Sequence, residues 1–196
     1  VNRMLRQLRR SDYDTELQPH PAVRCVFRDA GHIIGSAIIE LWVRDGGRTR
    51  KLVFSGDLGQ PCRPLVRDPV PVAEADVLVV ESTYGNRLHK TMDETLAELE
   101  HAVSDTLTRK KGNVIIPAFA VGRTQEILYL LVDLYRRDRL PEMDIYVDSP
   151  MALKATEITA KHWALLDPEA AAMLQWMKGR RGRPRIHFVQ DVLEST

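Results

Sequence analysis

Residues 113–137, NVIIPAFAVGRTQEILYLLVDLYRR, decide which class of fold the chain adopts. The run 113–119 is short and rich in apolar residues, which predicts a strand. Residues 122–137 carry apolar side chains at helical spacing and predict a helix, while residues 144–148, DIYVD, predict a second strand. Strand, helix and strand at this spacing predict a βαβ unit, in which the strands are parallel and the crossover is right-handed.

The chain before this unit is predicted to be rich in β-structure. Short β-branched and apolar runs predict strands at 23–28, 36–43 and 50–55, and RDGG between the second and the third predicts a hairpin. The run DVLVVES, residues 76–82, is continuously apolar at its centre. Such a run predicts a strand that is buried on both faces.

The second half of the chain is predicted to be rich in helices. A capping box from Thr91 to Glu94 opens a helix. Ser149 is a good N-cap and Pro150 a good first residue for another helix. A further helix, DPEAAAMLQWM, and a last strand, IHFVQ, follow. The chain is therefore predicted to be α/β, and its change of character after residue 86 indicates two parts, 1–85 and 86–196.

Composition limits the classes of function. Lys and Arg number 28 and Asp and Glu 27, so a net charge of +1 gives no global argument for a nucleic-acid partner. Cys25 and Cys62 show neither CxxC spacing nor a disulfide framework, which favours a reducing compartment. No apolar run approaches the ~20 residues that span a membrane, and the start does not resemble a signal peptide. We expect a cytoplasmic protein, and both chain ends are typical of a piece of a longer one.

Three polar residues stand where predicted strands end. They are His32 in DAGHIIGSA, Asp57 in VFSGDLG and Glu81 in LVVESTYG, each about one strand and return from the next. Strand ends on the same side of a sheet would bring them together, and imidazole and carboxylate are both acceptable zinc ligands. The alternative is a turn aspartate, a glutamate that caps or pairs with Arg87, and an ordinary loop or core histidine.

Together these motifs resemble those of one family. DAGHIIGSA, VFSGDLG and VVESTYGNR, followed by VIIPAFAVGRTQEILYLL and IYVDSPMA, resemble in order and spacing the β-CASP branch of the metallo-β-lactamase superfamily. The most specific parts are PAFAVGRTQE and DSPMA. The resemblance implies that residues 1–85 form the second half of a metallo-β-lactamase αββα sandwich. It also implies that residues 86–196 form a partial β-CASP domain, with a parallel sheet flanked by helices.

The resemblance also implies an activity, because these proteins are metal-dependent nucleases that act on RNA or DNA. His32 would be a zinc ligand, Asp57 would bridge two zinc ions, and Glu81 would be the acidic residue that assists the active site. Asp57 and Glu81 are then the expected catalytic residues. In such sites two metal ions activate water and stabilise the charge that develops on a phosphoryl group. RNA is the expected partner ahead of DNA.

Three further polar residues open predicted helices, where backbone N–H groups favour anions. Arg123 and Gln125 follow the predicted strand 113–119, and Ser149 precedes the DSPMA helix. Each of them either contacts the phosphates of a substrate or caps its own helix, and the sequence leaves both interpretations open.

The chain departs from the family in one respect. The zinc motif His-x-His-x-Asp-His is absent from the 196 residues, as are two later histidines of the family. His32 and Asp57 alone are too few ligands for two tetrahedral zinc ions, so we expect the chain by itself to be inactive. His20 stands alone and does not match the zinc motif. Four other histidines are interpreted as ordinary surface or packing residues: His89, His101, His162 and His187.

Two other functions compete with the nuclease. The first is a metallo-β-lactamase-fold hydrolase of thioesters or esters, against which PAFAVGRTQE argues. The second is a non-catalytic nucleic-acid-binding member of the family, against which His32, Asp57 and Glu81 argue. The basic runs 4–10 and 178–185 either contact phosphates or are solvated faces. Exposed strand edges would permit a homodimer.

Overall fold

The computed structural model describes residues 2–179 and 184–189, which belong to two compact units. One unit comprises Val1–Pro61 and Asp68–Gly85, and the other comprises Cys62–Arg67 and Asn86–Thr196. The predicted α/β class is confirmed. The assignment of 1–85 to a metallo-β-lactamase domain and of 86–196 to a β-CASP domain stays a prediction.

The first unit contains a five-stranded sheet whose strands lie in chain order. The first four strands are antiparallel, and the fifth is parallel to the fourth. The hairpin predicted at RDGG is confirmed, with Gly46 and Gly47 at φ of 53° and 82°, the left-handed values that a tight two-residue hairpin loop requires. The elements are α1 (Asn2–Leu5), β1 (Leu17–His20), β2 (Val23–Asp29), β3 (Ala37–Asp45), β4 (Arg48–Phe54) and β5 (Val77–Val79).

The core of this unit contains a buried charge. Ala30, Ile38 and Val53 form its apolar centre. Glu40 on β3 lies opposite Val53 and is only 4% exposed. Burial of a carboxylate is costly unless cations and hydrogen-bond donors surround it, so the stability of the sheet depends on the partners of Glu40.

The prediction that residues 76–82 are buried on both faces is wrong. Only Val77–Val79 form a strand, at the edge of the sheet, and these three residues are 44–58% exposed. The apolar, β-branched run sets the preference for a strand, but burial requires a layer over each face. Nothing in the described part of this unit covers β5 fully.

The second unit is helical with a short parallel sheet. The helices predicted from caps and periodicity are confirmed, and the capping box forms as expected. In it, the Glu94 N–H donates to Thr91 Oγ1 at 3.3 Å and the Thr91 N–H donates to Glu94 Oε2 at 2.9 Å. The elements are α2 (Met92–Ser104), continued by a π-helical turn (Asp105–Arg109), α3 (Arg123–Arg136), β6 (Asp144–Val147), α4 (Pro150–Lys161), a 3-10 turn (Trp163–Leu165), α5 (Pro168–Gly179) and β7 (Arg185–Phe188).

The predicted strand at 113–119 does not form. Residues 113–119 are not assigned to any strand, and Ile115 and Phe119 are 90% and 85% exposed. Pro117 has no N–H to contribute to a sheet, which weakens this run as a central strand. The predicted βαβ unit is therefore wrong in its order: β6 pairs in parallel with β7, and α4 and α5 lie in the connection between them.

None of the helices in the described part of the chain combines the length and the apolar character needed to cross a membrane. Of the basic run 178–185, residues 180–183 lie outside the described residues. Its interpretation as a phosphate-binding segment therefore stays a prediction.

Candidate functional site

The loop after β2 holds the backbone of His32 and exposes its side chain. Asp29 Oδ1 accepts a hydrogen bond from the Gly31 N–H at 2.9 Å. Ser36 Oγ accepts from the backbone N–H groups of His32 and Ile33 at 3.2 and 3.3 Å. The loop is thus fixed by the side chains of Asp29, at the end of β2, and of Ser36, and His32 lies on the surface.

The loop after β4 carries Asp57 and is in direct contact with the His32 loop. The Gly59 N–H donates to Ala30 O at 2.8 Å. A Cβ atom on Gly59 would lie 1.7 Å from Gly31 O, so only glycine permits this approach of the two backbones. Asp57, two residues earlier, is exposed.

Glu81 connects the end of β5 to the Asp57 loop. Its Oε1 accepts from the Leu58 N–H at 2.6 Å, and its own backbone N–H donates to Ser55 Oγ at 3.1 Å. The Leu58 N–H bond, a hydrogen bond from the Thr83 side chain and the electrostatic influence of His32 together lower the pKa of Glu81. Glu81 is therefore an ionised acceptor that holds neighbouring backbone in place, which corresponds to the capping alternative that the sequence left open.

The structure thus brings the three predicted loops to one end of the sheet. Two of the candidate metal ligands, His32 and Asp57, are exposed. The third residue, Glu81, has a carboxylate that already accepts a hydrogen bond from the Leu58 N–H. The chemistry of His32 and Asp57 suits zinc. Two ligands are nevertheless too few, because a structural zinc ion takes four. No group of three or more His, Cys, Asp or Glu side chains in the described residues is arranged to hold a metal ion. The residues present therefore do not form a complete metal site by themselves.

The side chain of Gln125 is buried and forms hydrogen bonds within the second unit. It is 5% exposed, and its Oε1 accepts from the Gly122 N–H at 2.7 Å. Its Nε2 donates to Ala120 O and to Thr156 Oγ1, both at 3.0 Å. The amide therefore joins the turn before α3 to α4, which corresponds to the capping interpretation that the sequence left open.

Ser149 and Arg123 are less buried than Gln125. Ser149 Oγ accepts from the Ala152 N–H at 3.1 Å and so caps α4. Arg123 pairs with Glu126 at 2.7 Å, but its side chain is 53% exposed. An exposed guanidinium with one carboxylate partner retains N–H donors for an anion.

The buried amide of Gln125 predicts a stability effect that separates it from Arg123. We expect Gln125→Ala to lower the free energy of unfolding by about 2 kcal/mol, because the half-buried Gly122 N–H and Ala120 C=O lose their buried amide partner. Arg123→Ala, at an exposed pair in the same helix, is expected to cost less than about 1 kcal/mol. Urea unfolding followed by circular dichroism at the helical band measures both, and equal losses would contradict the structural role of Gln125.

The sequence analysis missed two residues that build this site. Gly59 and Ser55 position the loops, although Gly59 has no side chain and Ser55 is not a candidate ligand. The pattern SGDLG contained the signal, since two glycines flanking an aspartate are typical of a close backbone approach. Which backbone approaches could not be inferred, because the partner loop lies far away in the sequence.

The fold class and the loops define an α/β protein with candidate metal ligands at strand ends, and comparison with known proteins identifies its family. Residues 124–196 match the family model described as the Beta-Casp domain. The chain is 43% identical over 131 residues to Ribonuclease TTHA0252 of Thermus thermophilus, covering 67% of this chain and 29% of that protein. It is 35% identical over 170 residues to an RNase J-like protein of Methanocaldococcus jannaschii, covering 84% and 38%. The chain belongs to the β-CASP family.

A third relative carries a different name. The chain is 32% identical over 172 residues to the transcription termination factor FttA of Methanosarcina mazei, covering 86% of this chain and 26% of that protein. The chain spans between about a quarter and two fifths of the length of these three relatives. Two of the three relatives are thus named for ribonuclease activity and the third for transcription termination.

Proposed function

We propose that the chain is part of a zinc-dependent ribonuclease of metallo-β-lactamase fold that hydrolyses phosphodiester bonds. The observation that supports this most directly is the convergence of the His32, Asp57 and Glu81 loops, held together by the Gly59–Ala30 and Leu58–Glu81 hydrogen bonds. The names of two relatives, a ribonuclease and an RNase J-like protein, add the class of reaction.

In this proposal each residue has a defined part. His32 and Asp57 are ligands from two loops in fixed contact, and the remaining ligands come from outside this chain. Zinc, when bound, would lower the pKa of a coordinated water. Glu81 positions the Asp57 loop through the Leu58 N–H. Arg123 and Ser149 contact phosphate oxygens, while Gln125 acts indirectly by holding Gly122.

The proposal predicts how the purified 196-residue chain binds zinc. Because two ligands give weak binding, we expect well under one zinc per chain after dialysis, and the same low value in His32→Ala and Asp57→Ala. Metal content measured by mass spectrometry tests this. One tightly bound zinc per chain that both substitutions remove would contradict the expected incompleteness.

The activity is tested in the full-length protein that contains this chain. We expect zinc-dependent cleavage of labelled single-stranded RNA, abolished by a chelator and restored by zinc, and lost in Asp57→Ala. A thioester substrate assayed in parallel tests the competing hydrolase. RNA binding without cleavage at any zinc concentration would instead support the non-catalytic member of the family.

The proposal also includes the cellular location and the oligomeric state of the protein. We propose a cytoplasmic location, because Cys25 and Cys62 show neither CxxC spacing nor a disulfide framework in the sequence. A homodimer through exposed apolar surface, such as that of β5, is a further proposal.

A further inference from the structure

We propose that the exposed face of the β6–β7 sheet binds a base of single-stranded RNA, with Tyr146 as the stacking surface. The parallel register places Asp144 opposite Arg185 and Tyr146 opposite His187. Because side chains alternate across a strand, these four lie on one face of the two-stranded sheet. The residue between the two on β6, Ile145, packs against the apolar core of the unit.

Tyr146 has the exposure and the support that a stacking surface needs. Its ring lies on the ring of His187, with centroids 4.7 Å apart and planes 14° from parallel. Tyr146 is nevertheless 67% exposed. A tyrosine fixed from one side and open to solvent loses little conformational freedom when a base stacks on it, which is the advantage of a preorganised site.

Asp144 fixes the polar half of the same face. Its two carboxylate oxygens accept from Arg185 Nε at 2.7 Å and Arg185 Nη2 at 2.9 Å. Asp144 Oδ1 also lies 2.9 Å from His187 Nε2. One carboxylate therefore orients both the guanidinium and the imidazole that supports Tyr146.

Arg185 offers a positive charge and N–H donors to a phosphate group. Its side chain is 64% exposed, and a guanidinium that donates two N–H groups to one carboxylate retains three others. An aromatic ring beside an available guanidinium matches the two repeating parts of a single strand, the π-face of a base and the charge of a phosphate. A purely structural Tyr–His pair would not need an exposed arginine beside it.

This inference shares with the proposed function the choice of RNA as the bound molecule, but it needs neither metal nor hydrolysis. The site lies wholly on β6 and β7, so the two proposals can fail independently. Binding to the 196-residue chain in the presence of a chelator tests this one alone.

The experiment is fluorescence anisotropy with a short, labelled, single-stranded oligoadenylate. Tyr146→Ala is expected to weaken binding by about fivefold or more, the loss typical of removing one stacked base contact. Tyr146→Phe keeps the ring and is expected to bind within about twofold of the unsubstituted chain. Phe119→Ala removes an aromatic ring of the same unit that is 85% exposed and is expected to bind as the unsubstituted chain does. Circular dichroism of each variant verifies folding.

Each possible outcome of this experiment either supports or overturns the proposed site. Loss in Tyr146→Ala with retention in Tyr146→Phe and Phe119→Ala supports the site, as does similar binding of single-stranded DNA, because stacking does not depend on the 2′-hydroxyl. Equal affinity of Tyr146→Ala and the unsubstituted chain, preference for duplex RNA, or no binding of the oligoadenylate would overturn it. Zinc-dependent cleavage by the full-length protein with no effect of Tyr146→Ala on binding would refute this site and leave the proposed function standing.

Discussion

Gly59→Ala is expected to destabilise the first unit by about 3 kcal/mol, near the upper end for inserting one methyl group into packed surroundings. The added Cβ would lie 1.7 Å from Gly31 O, 2.2 Å from Gly31 C and 2.8 Å from His32 N. All three are backbone atoms, so no side-chain rotation relieves the clash. The Gly59–Ala30 hydrogen bond must break, and the loops of His32 and Asp57 must separate.

A second glycine in the same region serves as the control. Gly35 has φ of +88°, and a Cβ atom there would meet no atom within 4 Å. Gly35→Ala therefore introduces backbone strain without a clash, at an expected cost of about 1–2 kcal/mol. Equal losses in the two variants would show that the contact at Gly59 does not hold the loops together.

The measurement needs a signal from the first unit alone. The chain has three tryptophans, and only Trp42 belongs to this unit. In a background with Trp163→Phe and Trp176→Phe, urea unfolding followed by Trp42 fluorescence reports the free energy of unfolding of the sheet. The proposed zinc site adds a second measurement: in the full-length protein, Gly59→Ala is expected to lower the zinc content and Gly35→Ala to leave it unchanged.

The features that the sequence predicted correctly are local. The Gly46–Gly47 hairpin and the Thr91–Glu94 capping box depend on residues a few positions apart, and both formed as expected. The helices from Arg123 and from Pro150 began where caps and periodicity placed them. Such features are determined by interactions within one turn of chain.

The features that the sequence did not predict depend on distant partners. Residues 113–119 and 76–82 are both apolar enough for buried strands, yet strand pairing and burial depend on which segment lies beside them. The candidate site likewise combines features set by local sequence with features that depend on distant residues. The strand-end positions of His32, Asp57 and Glu81 followed from local pattern, whereas the bond from the Leu58 N–H to Glu81 joins residues from two different strand ends.

Glu40→Ala is expected to destabilise the first unit by about 3 kcal/mol, because removing one partner of a buried ion pair leaves the others uncompensated. The Glu40 side chain is 5% exposed and lies 3.1 Å from Arg28 Nε and 2.8 Å from Lys51 Nζ. Arg28 retains a second partner in Asp14, while Lys51, with a side chain only 15% exposed, loses the carboxylate. The expected loss is therefore at the lower end of the range for buried pairs.

An exposed ion pair of the same sheet is the matched control. Glu16 lies 2.9 Å from Arg24 on β2, with side chains 56% and 43% exposed. Glu16→Ala is expected to cost less than about 1 kcal/mol, since water replaces the lost partner on both sides. Losses of similar size at Glu16 and Glu40 would contradict the dominant role of burial.

The pH dependence provides an independent test of the charge of Glu40. Burial opposes its ionisation, but the hydrogen bonds and charges of Lys51 and Arg28 outweigh burial and lower the pKa of Glu40. A carboxyl whose pKa is lower in the folded state stabilises the fold above its unfolded pKa of about 4.3, and this contribution is lost as the pH falls through the folded value. Glu40→Gln cannot ionise, so its deficit relative to the unsubstituted chain should be constant near neutral pH and should shrink below about pH 4. A deficit that stays constant down to pH 2 would show that Glu40 stabilises the sheet by packing and not by its charge.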